Sequence, residues 1–161
     1  MRTPEETVRA VAVGVCRLIR GGLSEAEEAA QIEELAACYA ERTDVRHPFN
    51  PVGDRPLSSR AALREHFGGG GRPAGVERYD VVDAHVHQTA DPEVVVFEFR
   101  YAGVVDGHAF AVPCIFVVRV RDGEIVESRD YIHHVASARA FGRLPALVAA
   151  LTAPQAQSPG Q

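Results

Sequence analysis

Residues 76–132 form four long strand-like runs joined by turns of two or three residues, and this pattern constrains the fold more than any other part of the chain. The runs are Val76–Ala90, Glu93–Val105, His108–Val120 and Glu124–Ile132. Asp91-Pro92, Asp106-Gly107 and Asp122-Gly123 separate them. An Asp-Gly pair between strand-like residues is a strong hairpin signal, because both central positions of the favoured turn need positive φ. Connections this short force neighbouring strands to run antiparallel. The second half of the chain is therefore an antiparallel meander. On its last run, period-2 alternation puts Glu124, Val126, Ser128 and Asp130 on one face and Ile125, Glu127, Arg129 and Tyr131 on the other. Asp130 thus sits late in a strand that pairs with the most apolar run of the chain, Ala109–Val120. A carboxylate there is either solvated at the rim or enclosed in a cavity with a raised pKa.

The first half reads as helices. Thr3-Pro4-Glu5-Glu6 is a helix start, with a capping Thr, Pro in the first turn and acids behind it. Val8, Val11, Val15, Leu18 and Ile19 follow at helical spacing, and Gly21-Gly22 ends the run. Ser24 with Glu27 is a capping-box pattern for a second helix, expected to reach about Glu41 and to carry Tyr39 at its end. Thr43–Phe49 is a short strand closed by Pro48, Arg60–Phe67 a third helix, and Gly68–Gly71 a glycine run read as a mobile loop over an opening. Ala136–Leu151 is a last helix interrupted by Gly142 and Pro145, and Thr152–Gln161 a disordered tail. Residues 1–151 are expected to be one domain. Helices first and a meander after them define an α+β layout: a cone-shaped curved antiparallel sheet with the N-terminal helices on its concave face. Such a sheet leaves an apolar cavity, the usual place for a small-molecule site.

A net charge of -5, without a basic stripe, argues against nucleic acid as a partner. No apolar run reaches the roughly 18–20 residues that span a bilayer. The N-terminus has no signal-peptide pattern, so the expectation is a cytoplasmic protein with no membrane partner. Cys16, Cys38 and Cys114 are scattered among apolar neighbours and read as reduced core thiols. His85 and His87 share a strand face with Asp83, but no third metal ligand adjoins them, and a solvated polar face is the simpler reading. No metal and no cofactor is expected. His47, where the short strand enters a loop, and His66, at the end of the third helix, are candidates on position alone. Glu98 and Arg100 alternate with Val95, Phe97, Phe99 and Tyr101. By spacing they are a solvent-facing ion pair opposite a core face.

Three stretches resemble a known superfamily. Cys38-Tyr39-Ala40-Glu41 followed by Val45-Arg46-His47-Pro48-Phe49 is similar to a YAxxxxVxDPF pattern, Arg60-Ala61-Ala62-Leu63 to GRxAI, and Gly123–Tyr131 (GEIVESRDY) to GKIxxxRDY. These are patterns of the SnoaL-like and ketosteroid-isomerase-like proteins of the nuclear transport factor 2-like superfamily. The resemblance covers about residues 5–150 and implies a cystatin-like α+β barrel and a homodimer built on the outer sheet face. It places Asp130 where SnoaL-like cyclases and limonene epoxide hydrolases have their working carboxylate, and His47 where ketosteroid isomerases have their base. Phe116 takes the place of the isomerases' oxyanion-binding Asp, and Ala102 that of a second carboxylate of the epoxide hydrolases. Both specific activities are thereby disfavoured. Phenazine-biosynthesis A/B proteins are also similar, with a Glu at the place of Asp130 and a His at the place of His66.

The resemblance further turns Glu98 and Arg100 toward the cavity, with Tyr39 and Phe116 as additional substrate contacts. The implied function is a cofactor-free isomerase, cyclase or dehydratase for a small oxygenated metabolite, in natural-product or polyketide biosynthesis, with catalytic Asp130, His47 and His66. The alternative is a non-catalytic small-molecule-binding or dimerisation module of the same fold. An ionisable group of residues converging on free volume would favour catalysis. Asp130 paired to Arg129 or Arg100 in a filled pocket would favour the second reading.

Overall fold

The computed structural model describes residues 1–70 and 72–153. The first two helices are α1, Pro4–Arg20, and α2, Glu25–Ala36. Both begin with complete capping boxes: the Thr3 and Ser24 side chains accept from the backbone N–H groups of Glu6 and Glu27, whose carboxylates accept in return. Gly21 ends α1 at φ 70°. Helix α2 stops at Ala36, short of the expected Glu41. The chain then turns into strand β1, Tyr39–Arg46, so Tyr39 opens a strand rather than closing a helix. A short strand β2, Leu57–Ser59, precedes α3, Arg60–Gly69, which the Ser59 hydroxyl caps. Gly68 and Gly69 extend α3, and Gly71 of the expected mobile loop lies outside the described residues.

The meander follows as β3 (Val76–Gln88), β4 (Val94–Val105), β5 (His108–Arg121) and β6 (Glu124–Ile132). Asp106-Gly107 and Asp122-Gly123 have positive φ at all four positions, as this turn type requires. The expected last helix is two: α4, His134–Ala140, and α5, Leu144–Thr152. Gly142 at φ 64° and Pro145 in the first turn of α5 force the break. Residues 154–161 of the expected tail lie outside the described residues.

The six strands form one open sheet in the order β2-β1-β6-β5-β4-β3. β1 lies parallel to β6, and every other pair is antiparallel. The α+β class is as expected, but the sheet is mixed, because the helical N-terminal half delivers β1 beside the last strand in the same direction. The first helices cover one face. Val8, Val11, Cys16 and Leu18 of α1, with Leu35 and Leu63, meet Val95, Phe97, Phe99 and Tyr101 of β4 and Val112, Phe116 and Val118 of β5 in one apolar cluster. Phe97 and Phe99 are the largest fully buried side chains. At about 25 cal/mol per Å² of apolar surface removed from water, aromatic side chains of this size dominate the stabilisation of the core. Cys16, Cys38 and Cys114 are buried free thiols. Among the described residues, no helix is long and apolar enough to cross a membrane.

Candidate active site

Strand β6 does not alternate as its sequence suggests. Its partner register moves from Arg119↔Glu127 to Val120↔Ile125, which leaves Val126 as an extra residue in a β-bulge. Ile125 therefore shares the inner face with Ser128 and Asp130, and all three are buried. Asp130 is 7% exposed and lies directly across from Phe116 on β5. It sits inside the cavity rather than at the rim.

The parallel pairing of β1 with β6 brings the first histidine to it. Arg46 is level with Arg129, so the next residues on the two strands, His47 and Asp130, are neighbours. His47 Nε2 stands 3.8 Å from Asp130 Oδ2, beyond direct hydrogen-bond range. Its backbone N–H donates to Asp54 Oδ1 at 2.9 Å, which holds the strand end in place. His66 enters from α3, with its ring 6.0 Å from that of His47. Helix α3 is fastened to the strands by Arg60, which donates to the Tyr39 carbonyl at 2.8 Å and to Glu124 at 2.6 Å.

Asp130, His47, His66, Tyr39 and Phe116 line one cavity of about 180 Å³, together with Tyr79 and Tyr101. Burial drives the electrostatics. It pushes the Asp130 carboxyl from 3.8 up to about 7, against the opposing Ser128 hydroxyl and the Arg129 charge. The Ser128 hydroxyl donates to Asp130 Oδ1. Arg129 itself points the other way, to Asp44 at 2.8 Å, and does not neutralise Asp130. Burial lowers the pKa of His47, and the proximity of His66 and His134 lowers it further. Burial alone lowers that of His66. It also raises the Tyr39 and Tyr101 hydroxyls well above the ordinary tyrosine range, so both stay protonated donors. At neutral pH the cavity thus holds two uncharged imidazoles, protonated phenols, and a carboxyl group poised between its two states.

Glu98 and Arg100 are not part of this site. The cavity-facing placement implied by the resemblance is corrected by strict alternation on β4. Val95, Phe97, Phe99 and Tyr101 are buried, while Glu98 and Arg100 are exposed on the outer face. There Arg100 pairs with Asp83 rather than with Glu98, and Glu98 meets His87 at 3.2 Å. Spacing, which makes these two solvent-facing charges, is the better guide here. They border a second, larger hollow of about 680 Å³ on the outer face, with Phe49, Ile115 and Tyr131. That hollow is wider, but the buried Asp130 carboxyl and the His47 and His66 imidazoles, all with shifted pKa values, converge in the inner one, which makes the inner one the candidate site. Among the described residues, no group of three or more His, Cys, Asp or Glu is placed to hold a metal ion.

Three contributors are not singled out by the sequence. Periodicity puts Ser128 on the Asp130 face, and its i−2 spacing is the available signal for the hydroxyl–carboxylate contact. Tyr101 reads as core, where it does lie, with its ring also lining the cavity. His134 stands close enough to lower the His47 pKa, and its Nε2 is buried with no hydrogen-bond partner among the described residues. Nothing local in the sequence signals that approach, which depends on where α4 starts.

The chain matches the SnoaL-like domain family over residues 21–128. Among solved structures, it is similar to a Bacillus subtilis protein provisionally named an isomerase. The identity is 22%, over 87% of this chain and 93% of that one, with a TM-score of 0.67. It is also similar to a Catenulispora acidiphila protein with a ketosteroid isomerase-like fold, in complex with trimethylamine. There the identity is 20%, over 88% and 95% of the two chains, with a TM-score of 0.60. A Pseudomonas putida protein provisionally named a polyketide cyclase is 15% identical over 88% of this chain and 99% of that one, with a TM-score of 0.60. No curated protein matches the sequence.

Proposed function

The chain belongs to the SnoaL-like domain family, and from that premise we propose that it is a cofactor-free acid–base enzyme of the isomerase, cyclase or dehydratase type, acting on a small oxygenated metabolite. The buried Asp130 carboxyl, raised to about 7 beside free volume and two neutral histidines, carries the reading. A carboxylate with that pKa is a stronger base than a solvated one and is still half ionised at neutral pH. In this reading Asp130 abstracts a proton from the carbon next to a carbonyl. The electron pair moves onto the carbonyl oxygen as an enolate. The Tyr39 hydroxyl or a neutral imidazole N–H of His47 or His66 donates a hydrogen bond to that oxygen, and Asp130 or a histidine returns the proton to another atom of the substrate. Hydrogen-bond donors fixed in a water-poor cavity are worth more than in solution, since they need no reorganisation as charge develops.

Two observations favour catalysis over a purely binding module. Among the described residues, no arginine pairs with Asp130 and no side chain fills the space beside it. The natural-product or polyketide setting and a cytoplasmic location belong to the same proposal, and the three free thiols suit a reducing compartment. So does a homodimer. Phe49, Ile115 and Val135 are exposed around the outer hollow, an apolar surface that a second copy would cover.

Replacing Asp130→Asn keeps the shape and the Ser128 contact but removes the base. Turnover on an identified substrate should fall by about 10²–10⁴-fold, the usual worth of a general base, with an unchanged circular dichroism spectrum. Full activity in that variant would sink the assignment.

A further inference from the structure

We infer that the cavity around Asp130 takes an uncharged substrate of about one ring, such as a cyclic or short-chain ketone, enone or phenol, and excludes both anions and four-ring compounds. This rests on the reading of that cavity as the substrate site, and it narrows what the site can hold.

Volume is the first argument. The cavity measures about 180 Å³. Sites for drug-sized ligands occupy about 300–1,000 Å³. A single ring with small substituents fills the available space, and a fused four-ring skeleton exceeds it. The walls do not yield easily. Tyr79, Tyr101 and Phe116 come from three adjoining strands and are each less than a tenth exposed. Tyr79 and Tyr101 pack with ring centroids 5.1 Å apart, and Phe116 meets Phe99 edge-on at 5.0 Å. Enlarging the space means breaking close-packed aromatic contacts in the core. From the opposite side α1 closes the cavity with Val11 and Val15.

Charge is the second argument. Among the described residues, no Arg or Lys lines the cavity. The arginines next in sequence to Asp130 and His47, Arg129 and Arg46, are both engaged with Asp44. Burial holds His47 and His66 in their neutral forms, and the one carboxyl group among the described lining residues is that of Asp130. A carboxylate or phosphate entering here would lose its water, meet no counter-charge, and face Asp130. A neutral carbonyl or hydroxyl meets the Tyr39 hydroxyl and imidazole groups that can donate or accept.

Calorimetric titration of the wild-type protein at neutral pH, with a panel graded in size and charge, tests this. The probes are phenol and cyclohex-2-enone as neutral single rings, benzoate as an anion of the same size, 2-naphthol, and a four-ring steroid enone. Phenol and cyclohexenone should bind. Benzoate and the steroid should bind at least about tenfold more weakly, a difference of about 1.4 kcal/mol. Phe116→Leu, which opens the wall across from Asp130 with a smaller loss of volume than alanine, should strengthen 2-naphthol relative to phenol. Benzoate or the steroid binding as tightly as phenol overturns the inference, and so does a failure of both single-ring probes to bind. Single-ring binding that ignores Phe116→Leu places the probes elsewhere and overturns the site itself. Turnover of Asp130→Asn is a separate readout: full activity there, with the selectivity intact, removes the proton-transfer reading and leaves the size and charge limits standing.

Discussion

Burying a carboxyl group favours its neutral form, and Asp130 gives that preference a measurable sign. Its pKa rises from 3.8 to about 7 on folding, so between about pH 4 and 7 the folded chain binds more protons than the unfolded one. The stabilisation is full below the unfolded pKa and is lost as pH rises through the folded one. At about 1.4 kcal/mol per pKa unit the total is at most about 4 kcal/mol. An asparagine in place of Asp130 has no such titration but still accepts from Ser128. The Asp130→Asn variant should therefore melt at a higher temperature than wild type above about pH 7, with the gap closing toward pH 4. His47, His66 and His134 have lowered pKa values and act in the opposite sense, losing stability as pH falls below their ordinary range. They are present in both proteins, so the difference between the two thermal profiles isolates Asp130. A gap that does not change with pH would mean that the carboxyl is solvated.

Elements are where local pattern and tertiary pairing disagree. Alternation locates the faces of β4 correctly and misplaces Ile125 on β6, because the bulge at Val126 arises from pairing with β5 and leaves no mark on composition. Helix α2 ends early because residues 39–46 gain strand partners on β6, which outweighs helical propensity. Close approach of β3 and β4 makes its own prediction. A Cβ added at Gly103 would lie 1.8 Å from the Arg78 carbonyl oxygen, a backbone atom that cannot move without separating the strands. Gly103→Ala should lower the urea-unfolding free energy by more than about 2 kcal/mol, in the range of the larger single-site effects. Gly70→Ala, which meets nothing within 4 Å among the described residues and has negative φ, should stay within about 0.5 kcal/mol of wild type.

At the scale of the whole molecule, the sheet separates two environments. Its inner face holds the aromatic core and the smaller cavity, while its outer face carries Asp83, Glu98 and Arg100 beside exposed Ile115. If a second copy covers the outer face, a charge placed at its apolar part should prevent association without touching the cavity. Ile115→Glu should shift the sedimentation coefficient from that of a dimer to that of a monomer, with its melting curve still cooperative. A wild-type protein that sediments as a monomer would remove the dimer from the proposal. The sequence by itself determined the α+β class, the meander, both capping boxes and the pairing of Ser128 with Asp130 on one face. These follow from turn chemistry, caps and periodicity, which act over a few residues. Tertiary structure alone decided that His47 stands beside Asp130 and that α4 brings His134 near them. Those outcomes depend on parallel pairing between strands some eighty residues apart and on which sheet face the helices cover. Burial is a property of the assembled molecule, and it is burial that turned an ordinary aspartate into a group that titrates near neutrality.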